Sequence, residues 1–306
     1  MVTVAPVRRT PRRVQGSSTR RWVGWGFLAP FAVVFVFTLI APIAYAVNLS
    51  LFQERLIGGT VFAGLDNYRF ALRDPQFREA LWRVVLFFLV QVPVMLAVSA
   101  FAALALDSAR LRWSALYRIS LFLPFAVPGV IAALMWGFVY GTDFGLVGNL
   151  NSTFGLSLPD LLSSRWVLAA MANISTWAFL GYNMLVMYSA LRTVPRELYE
   201  SAAIDGAGTF RVVRSIKLPA MRPAFVITLV FSVIGSFQLF NGPNILRTLS
   251  PNTIGTNFTP NMYAFNLSFA GQQYNYAAAI AIIMGVLTAV VAYVVQVAGI
   301  RNGGAR

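Results

Sequence analysis

The stretch VVLFFLVQVPVMLAVSAFAALAL, Val84–Leu106, runs for 23 positions without a charged side chain and is bounded by Arg83 and Asp107. Crossing the hydrocarbon of a bilayer as a helix takes about 20 apolar residues. Five further charge-free runs flank it: Trp22–Gln53 (32 residues), Ile119–Thr142 (24), Trp166–Leu191 (26), Pro223–Leu246 (24) and Thr248–Ile300 (53). The last is long enough for two crossings. Its first half, however, carries Ser250, Pro251, Asn252, Thr253, Asn257, Thr259, Pro260 and Asn261, so only the part from about Tyr276 to Ile300 reads as a span. The expectation is an all-α membrane protein with six transmembrane helices. A soluble domain is ruled out, and so is a β-barrel, which would show short alternating segments.

The chain carries 24 basic and 10 acidic residues among 306, a net charge of +14. Nucleic acid is not the reason. Taking the N-terminus, the second loop, the fourth loop and the C-terminus as one side collects 17 basic residues against four acids, leaving seven and six on the other. Cytoplasmic loops are enriched in Lys and Arg, so both termini are expected in the cytoplasm. Residues 1–21 read as a disordered Arg-rich cytoplasmic arm with membrane-lipid contact, and 22–306 as the membrane domain. Ser18-Thr19-Arg20-Arg21-Trp22 and Ala44-Tyr45-Ala46 faintly resemble an export signal, but the apolar run is twice the length of a signal core and reads as a retained span.

No acid or base lies inside any of the six spans. Ion-coupled carriers place ionisable groups at membrane depth to carry the coupling charge. With no Cys and no His, thiol or imidazole chemistry and a His/Cys metal site are excluded. The only lysine, Lys217, stands in no phosphate-binding loop. An integral membrane enzyme remains only as one using the loop acids, and these are scattered. Uphill transport would therefore draw its energy from another subunit.

Residues 192–222 hold the densest pattern. Pro195 followed by Arg196-Glu197 starts a helix, Ala202 and Ala203 favour it, and Gly206 permits the turn that ends it. Phe210, Val213 and Ile216 form an apolar stripe on a basic second helix that Pro219 is expected to end. Composition alone suits a helix lying on the bilayer.

The spacing says more. Glu200-x-Ala202, three residues, Gly206, nine residues, Ile216-x-Leu218-Pro219 resembles the EAA signature of binding-protein-dependent ABC importer permeases, and Asp205-Gly206-Ala207 matches its longer form in sugar permeases. Ser201 stands where Ala is usual. Phe62-Ala63-Gly64-Leu65-Asp66-Asn67-Tyr68, Leu123-Pro124-Phe125-Ala126-Val127-Pro128 and the stretch Trp177–Val186 resemble permeases of the maltose and glycerol-3-phosphate type. The resemblance implies a type I importer permease (MetI-like) fold in the bacterial inner membrane. It also implies a second, different permease subunit, two ATP-binding subunits and an extracytoplasmic solute-binding protein. ATP and Mg would bind the ATPase partner, and this chain would need no cofactor. Glu200, Ser201, Ala202, Asp205, Gly206, Ala207, Ile216, Leu218 and Pro219 would then form the coupling element. The external loop 241–275, where Asn241-Gly242-Pro243 replaces the usual Gly-Gly-Pro, would face the binding protein.

Thr228, Ser232 and Ser236 recur at i, i+4 and i+8 on one helical face, with Gln238 beyond. Asn173, Thr176 and Asn183 share a face of the preceding span, and Ser175 lies near Phe179 and Tyr182. Small polar residues also serve as helix–helix glue. A neutral path of hydroxyls, amides and aromatics suits an uncharged polyol, because sugars hydrogen-bond at their edges and lay a C–H face on rings. The resemblance adds Phe125 and Gly129 to that path. The expected function is the translocation of an uncharged di- or oligosaccharide, with glycerol-3-phosphate or another polyol as the alternative within the family. For topology, reporter fusions at Val2, Leu198 and Asn302 should report the cytoplasm, and fusions at Gly59 and Thr256 the outside. Leu198 and Thr256 on one side would overturn the six-span arrangement.

Overall fold

The computed structural model describes residues 18–55, 57–108, 111–142 and 145–303. The chain divides into two units at Asn48 and Leu49. The first is a helix: α1 (Ser18–Phe35), a π-turn at Val36–Ile40 and α2 (Ala41–Ser50), the last two residues of which belong to the second unit. In the π-turn the Ala41 amide reaches back to the Val36 carbonyl, just ahead of Pro42, which has no amide to give. From Trp25 onward this helix is apolar and its large side chains are mostly exposed, as in a segment solvated by lipid. The helix begins at Ser18, within the expected arm; residues 1–17 lie outside the described residues.

The second unit opens with a two-stranded hairpin that the all-α expectation lacked. Strands β1 (Phe52–Arg55) and β2 (Gly59–Phe62) pair antiparallel, Phe52 opposite Phe62. Gly58 and Gly59 both take positive φ in the turn, which glycine alone adopts freely. The Gly64–Tyr68 segment then folds back on it. Asn67 donates to the carbonyls of Ser50 (2.7 Å) and Phe52 (2.8 Å), accepts from Gln53 (2.9 Å), and the Tyr68 and Ser50 hydroxyls meet at 2.6 Å. The helices that follow are α3 (Asp66–Arg73), α4 (Pro75–Leu106), α5 (Ser114–Phe122), α6 (Gly129–Tyr140), α7 (Leu146–Phe154) and α8 (Val167–Arg192). They continue as α9 (Arg196–Ile204), α10 (Thr209–Val212), α11 (Leu218–Phe237), α12 (Asn241–Leu249), α13 (Pro260–Phe269) and α14 (Tyr274–Gly303).

Among the described residues, four helices are long and apolar enough to cross a membrane: Trp25–Ser50, Pro75–Leu106, Thr209–Phe237 and Tyr274–Gly299. Ser114–Ala126 and Gly129–Tyr140 add a fifth if counted as one span, but they meet at 99°. The run Ile119–Thr142 is therefore not one straight helix. After a 3₁₀ turn at Leu123–Ala126 the chain breaks at Val127–Pro128: the residue before a proline avoids the α conformation, and Val127 is extended (φ −77, ψ 124). Helix α8 has 26 residues, about 39 Å, ample to cross, but Asn173, Ser175, Thr176 and Asn183 lower its apolarity. A second correction concerns Pro219. It does not end the basic helix; α10 continues through a π-turn at Val213–Lys217 into α11, the Leu218 amide reaching back to the Val213 carbonyl just ahead of Pro219, which has no amide to give. The stretch 241–275, read as a loop, contains α12 and α13, and its Leu246, Ile254, Phe258 and Met262 are buried. Thr259 caps α13 and Pro260 occupies its first turn, a helix start visible in the sequence.

Three apolar clusters hold the bundle. At one end α3, α4, α11, α13 and α14 close around Phe77, Val84, Val233 and Ile280, and α6, α8, α12 and α13 around Met171, Leu246 and Met262. At the other, α4, α8 and α11 close around Met95, Met184, Met187 and Met221. Gly181 lets α8 approach α5: a Cβ there would sit 2.6 Å from the Cα of Phe122. Asp74 ties the first end together. One carboxylate oxygen caps α4 through the Gln76 amide (2.9 Å), and the other accepts from the Tyr263 (2.6 Å) and Tyr276 (2.7 Å) hydroxyls. Burial acts to raise the Asp74 carboxyl, but these tyrosine and backbone donors prevail and hold it below the ordinary value. A depressed carboxyl stabilises above its unfolded pKa and loses that contribution as pH falls through the folded one, so the latch should persist at neutral pH and fail only in acid. Tyr276→Phe removes one charge-assisted bond and should cost about 2 kcal/mol, read as a lower unfolding temperature in detergent at pH 7 that converges with wild type in acid.

Candidate functional site

Between the apolar clusters the unit holds a half-open cavity of about 560 Å³, within the rough 300–1,000 Å³ range of small-molecule sites. It lies halfway along α4 (Phe87, Gln91, Met95) and α8 (Ile174–Asn183), beside the last turns of α11, and Phe125 and Gly129, on either side of the break in the bent helix, add to its wall. Of the residues expected along a path, Phe125, Gly129, Ser175, Phe179, Asn183, Ser232, Ser236 and Gln238 are brought together on this wall. Thr228 is not. It is fully buried, and its hydroxyl bonds to the Ala224 (2.9 Å) and Phe225 (3.1 Å) carbonyls of its own helix. Asn173 also faces elsewhere, donating to the Tyr140 hydroxyl at 2.8 Å.

The wall has two characters. Phe125 stacks on Tyr182 (centroids 5.0 Å apart, planes 19° apart) and meets Phe179 edge-on at 5.8 Å, with Phe231 also on the wall. Polar groups share the lining: the amides of Gln91, Asn183, Gln238 and Asn241 and the hydroxyls of Ser175, Ser232 and Ser236. No acid or base is among the lining residues. Gln91 and Asn183 are buried, and their amide nitrogens point to the Met95 sulfur at 3.2 and 3.5 Å. A thioether is a weak acceptor, so both amides can turn to a better partner at little cost. The Ser236 hydroxyl is 4% exposed and bonds to no described residue, while Ser232 donates to the Thr228 carbonyl at 2.7 Å. Gln91 and Met95 were missed by the sequence argument, although Gln91 is the one amide side chain in the Val84–Leu106 run.

The second candidate element is the stretch 192–222. Helix α9 ends as its sequence asks: Gly206 takes φ +68, the Ala207 amide reaches the Ala202 carbonyl (2.9 Å) and the Gly206 amide the Ala203 carbonyl (3.1 Å). This is a Schellman closure. Glu200, Ser201, Asp205 and Gly206 are exposed, Ala202 and Ala207 half-buried. Ile216 and Pro219 are half-buried and Leu218 exposed on the π-turn and first turn of α11. The structure adds Ile204 and Phe210, apolar yet 86% and 77% exposed beside the turn. Large apolar groups exposed on a loop mark an interaction surface. Tyr199 faces inward. Burial pushes its hydroxyl up, and the Asp107 carboxylate adds to the shift.

A family described as binding-protein-dependent transport system inner membrane component matches residues 56–299. The chain belongs to that family. It is a permease component of an ABC transport system, set in the inner membrane and working with a solute-binding protein, and it is not itself an enzyme. Among relatives, the sulfoquinovosyl glycerol transport system permease protein SmoG of Agrobacterium fabrum is 30% identical over 92% of this chain and 94% of its own. The lactose transport system permease protein LacF of Rhizobium radiobacter is 29% identical over 90% and 95%. In fold, the chain superposes on the crystal structure of a bacterial ABC transporter involved in the import of the acidic polysaccharide alginate, with a TM-score of 0.81 over 92% of this chain and 96% of that one at 21% identity.

Proposed function

We propose that this chain is the permease subunit of an importer for an uncharged carbohydrate, a di- or oligosaccharide, and that the substrate passes through the cavity. One observation carries the reading: a mid-helix cavity lined by aromatic rings, amides and hydroxyls, with no charge. Relatives are named for sulfoquinovosyl glycerol, lactose and arabinooligosaccharides, which supports the class, and others for glycerol-3-phosphate; the structural neighbour imports an acidic polysaccharide. The cavity argues for a neutral one here. An anion moved out of water with no cation to meet it loses solvation worth several kcal/mol, and glycerol-3-phosphate would meet none in this wall. A sugar ring loses little, since its C–H face covers Phe125 and Tyr182 while its hydroxyls take up Gln91, Asn183 and Ser236.

The rest of the machine follows from the resemblance of the loop. We assign α9 and its glycine turn to docking on an ATP-binding subunit, with Glu200 paired to a basic residue there. ATP and Mg then bind that partner, and this chain holds no cofactor. The proposed assembly is two different permeases, two ATP-binding subunits and one solute-binding protein. In it this chain crosses the membrane six times, counting α8 and the broken helix, with both termini in the cytoplasm. Alternating access would carry the sugar past the cavity as the ATPase pair closes.

Ser236→Ala removes one hydrogen-bonding group, worth about 1 kcal/mol, and should weaken half-saturation of uptake roughly five-fold. Ser236→Trp should abolish uptake while the ATP-binding subunit still co-purifies. Survival of uptake with Trp at both Ser232 and Ser236 would make these serines helix glue and place the path elsewhere.

A further inference from the structure

Where α4 ends, a compact cluster has no place in the reading so far. Lys217 is the only lysine among 24 basic residues. Its Nζ lies 2.6 Å from a carboxylate oxygen of Asp107, and the two side chains are 13% and 12% exposed. The same Nζ stands 5.7 Å from the ring centroid of Tyr199, whose hydroxyl is buried and has no hydrogen-bond partner among the described residues. Three elements meet there: Asp107 is the C-cap of α4, Lys217 precedes α11 at the end of the π-turn, and Tyr199 belongs to α9.

Helix capping does not explain the two charges. A carboxylate is disfavoured at a helix C-terminus, where Asp107 stands, and Lys217 lies inside the continuous helix Thr209–Phe237, away from any free end. The pairing is what makes the Asp107 placement acceptable. Nor is net stability a sufficient reason, because burying an ion pair gains little over an apolar pair of the same size, whereas removing one partner is costly. What such a pair supplies is a fixed register between the elements that bear it.

Helix α9 is otherwise loosely held. Of its nine residues, seven are exposed, and only Tyr199 and Ala202, one turn apart, are half-buried. On its C-terminal side the chain leaves through Gly206 and Gly208. Movement of α9 therefore reaches the bundle through the Tyr199 ring, and the charge under that ring joins α4 to α11, two of the helices that wall the cavity.

We propose that Tyr199, Lys217 and Asp107 form the joint that passes movement of α9 to α4 and α11, so that these are positioning residues for transport. The proposal rests on the reading of α9 as the docking element for the ATPase. The test uses the complete transporter in proteoliposomes and measures three quantities: co-purification of the ATP-binding subunit, ATP hydrolysis stimulated by sugar-loaded binding protein, and sugar taken up per ATP hydrolysed. Asp107→Asn, Lys217→Met and Tyr199→Ala should each keep the ATPase bound and lower uptake per ATP at least ten-fold. Tyr199→Phe, which keeps the ring and discards an unpartnered hydroxyl, should match wild type. The exchange Asp107→Lys with Lys217→Asp restores an ion pair between α4 and α11, and it should recover more of the coupling than either single variant. Normal uptake per ATP in the single variants would overturn the joint while leaving the docking reading standing. Loss of the ATPase from the single variants, with no rescue by the exchange, would overturn it by making the pair merely structural. Gly206→Leu tests the docking reading itself: unchanged co-purification and uptake there would remove α9 from coupling, and the joint with it.

Discussion

The constraint on which the rest of this protein depends is the cost of a charge, or of an unpaired backbone group, away from water. It empties the six apolar runs of ionisable residues and sends the charge to their ends. It also decides how the ends are built. Asp74 is acceptable inside because two tyrosines and its own helix satisfy it, and Asp107 because Lys217 answers it. Where the backbone does break, at Val127–Pro128, the residues just before and after it, Phe125 and Gly129, line the cavity.

That economy links the two candidate sites. Helix α4 carries Gln91 and Met95 in the cavity and Asp107 at its end; α11 carries Ser232 and Ser236 in the cavity and begins after Lys217. Helices transmit displacement along their length because their packed cores have few voids to absorb it. The apolar cluster around Met184, Met187 and Met221 fills the space between cavity and joint. A shift at Lys217 is therefore felt where Ser236 meets the cavity, without any charge entering the membrane.

Much of this was legible in the residues. The run Val84–Leu106 and its neighbours disclose a membrane bundle, because uncharged length is a property of sequence alone. The closure at Gly206 was legible too, since only a glycine takes that φ freely. Three features were not. The right-angle bend at Pro128 reads as one run, because the charge pattern continues across a break that costs only local backbone geometry. Helix α8 reads as an ordinary span, although its apolarity falls short partly for the reason that makes it useful: Ser175 and Asn183 line the cavity. The partners of Lys217 and Asp74 are far away in sequence, 110 positions for Asp107 and 189 for Tyr263, and no local pattern announces them. Thr228 shows the opposite error. Its helical spacing with Ser232 is correct, yet its hydroxyl is spent on its own backbone.

The central claim is that a neutral carbohydrate crosses through the uncharged cavity. The most direct measurement is uptake, in proteoliposomes holding the complete transporter and its binding protein, of neutral di- and oligosaccharides against phosphorylated and uronic-acid analogues of the same size. The account predicts uptake and ATPase stimulation by neutral members of the set, lost when Phe125 is replaced by Ala, with charged analogues left outside. Preferential uptake of the charged analogues, unaffected by changes at Phe125, Asn183 and Ser236, would contradict it.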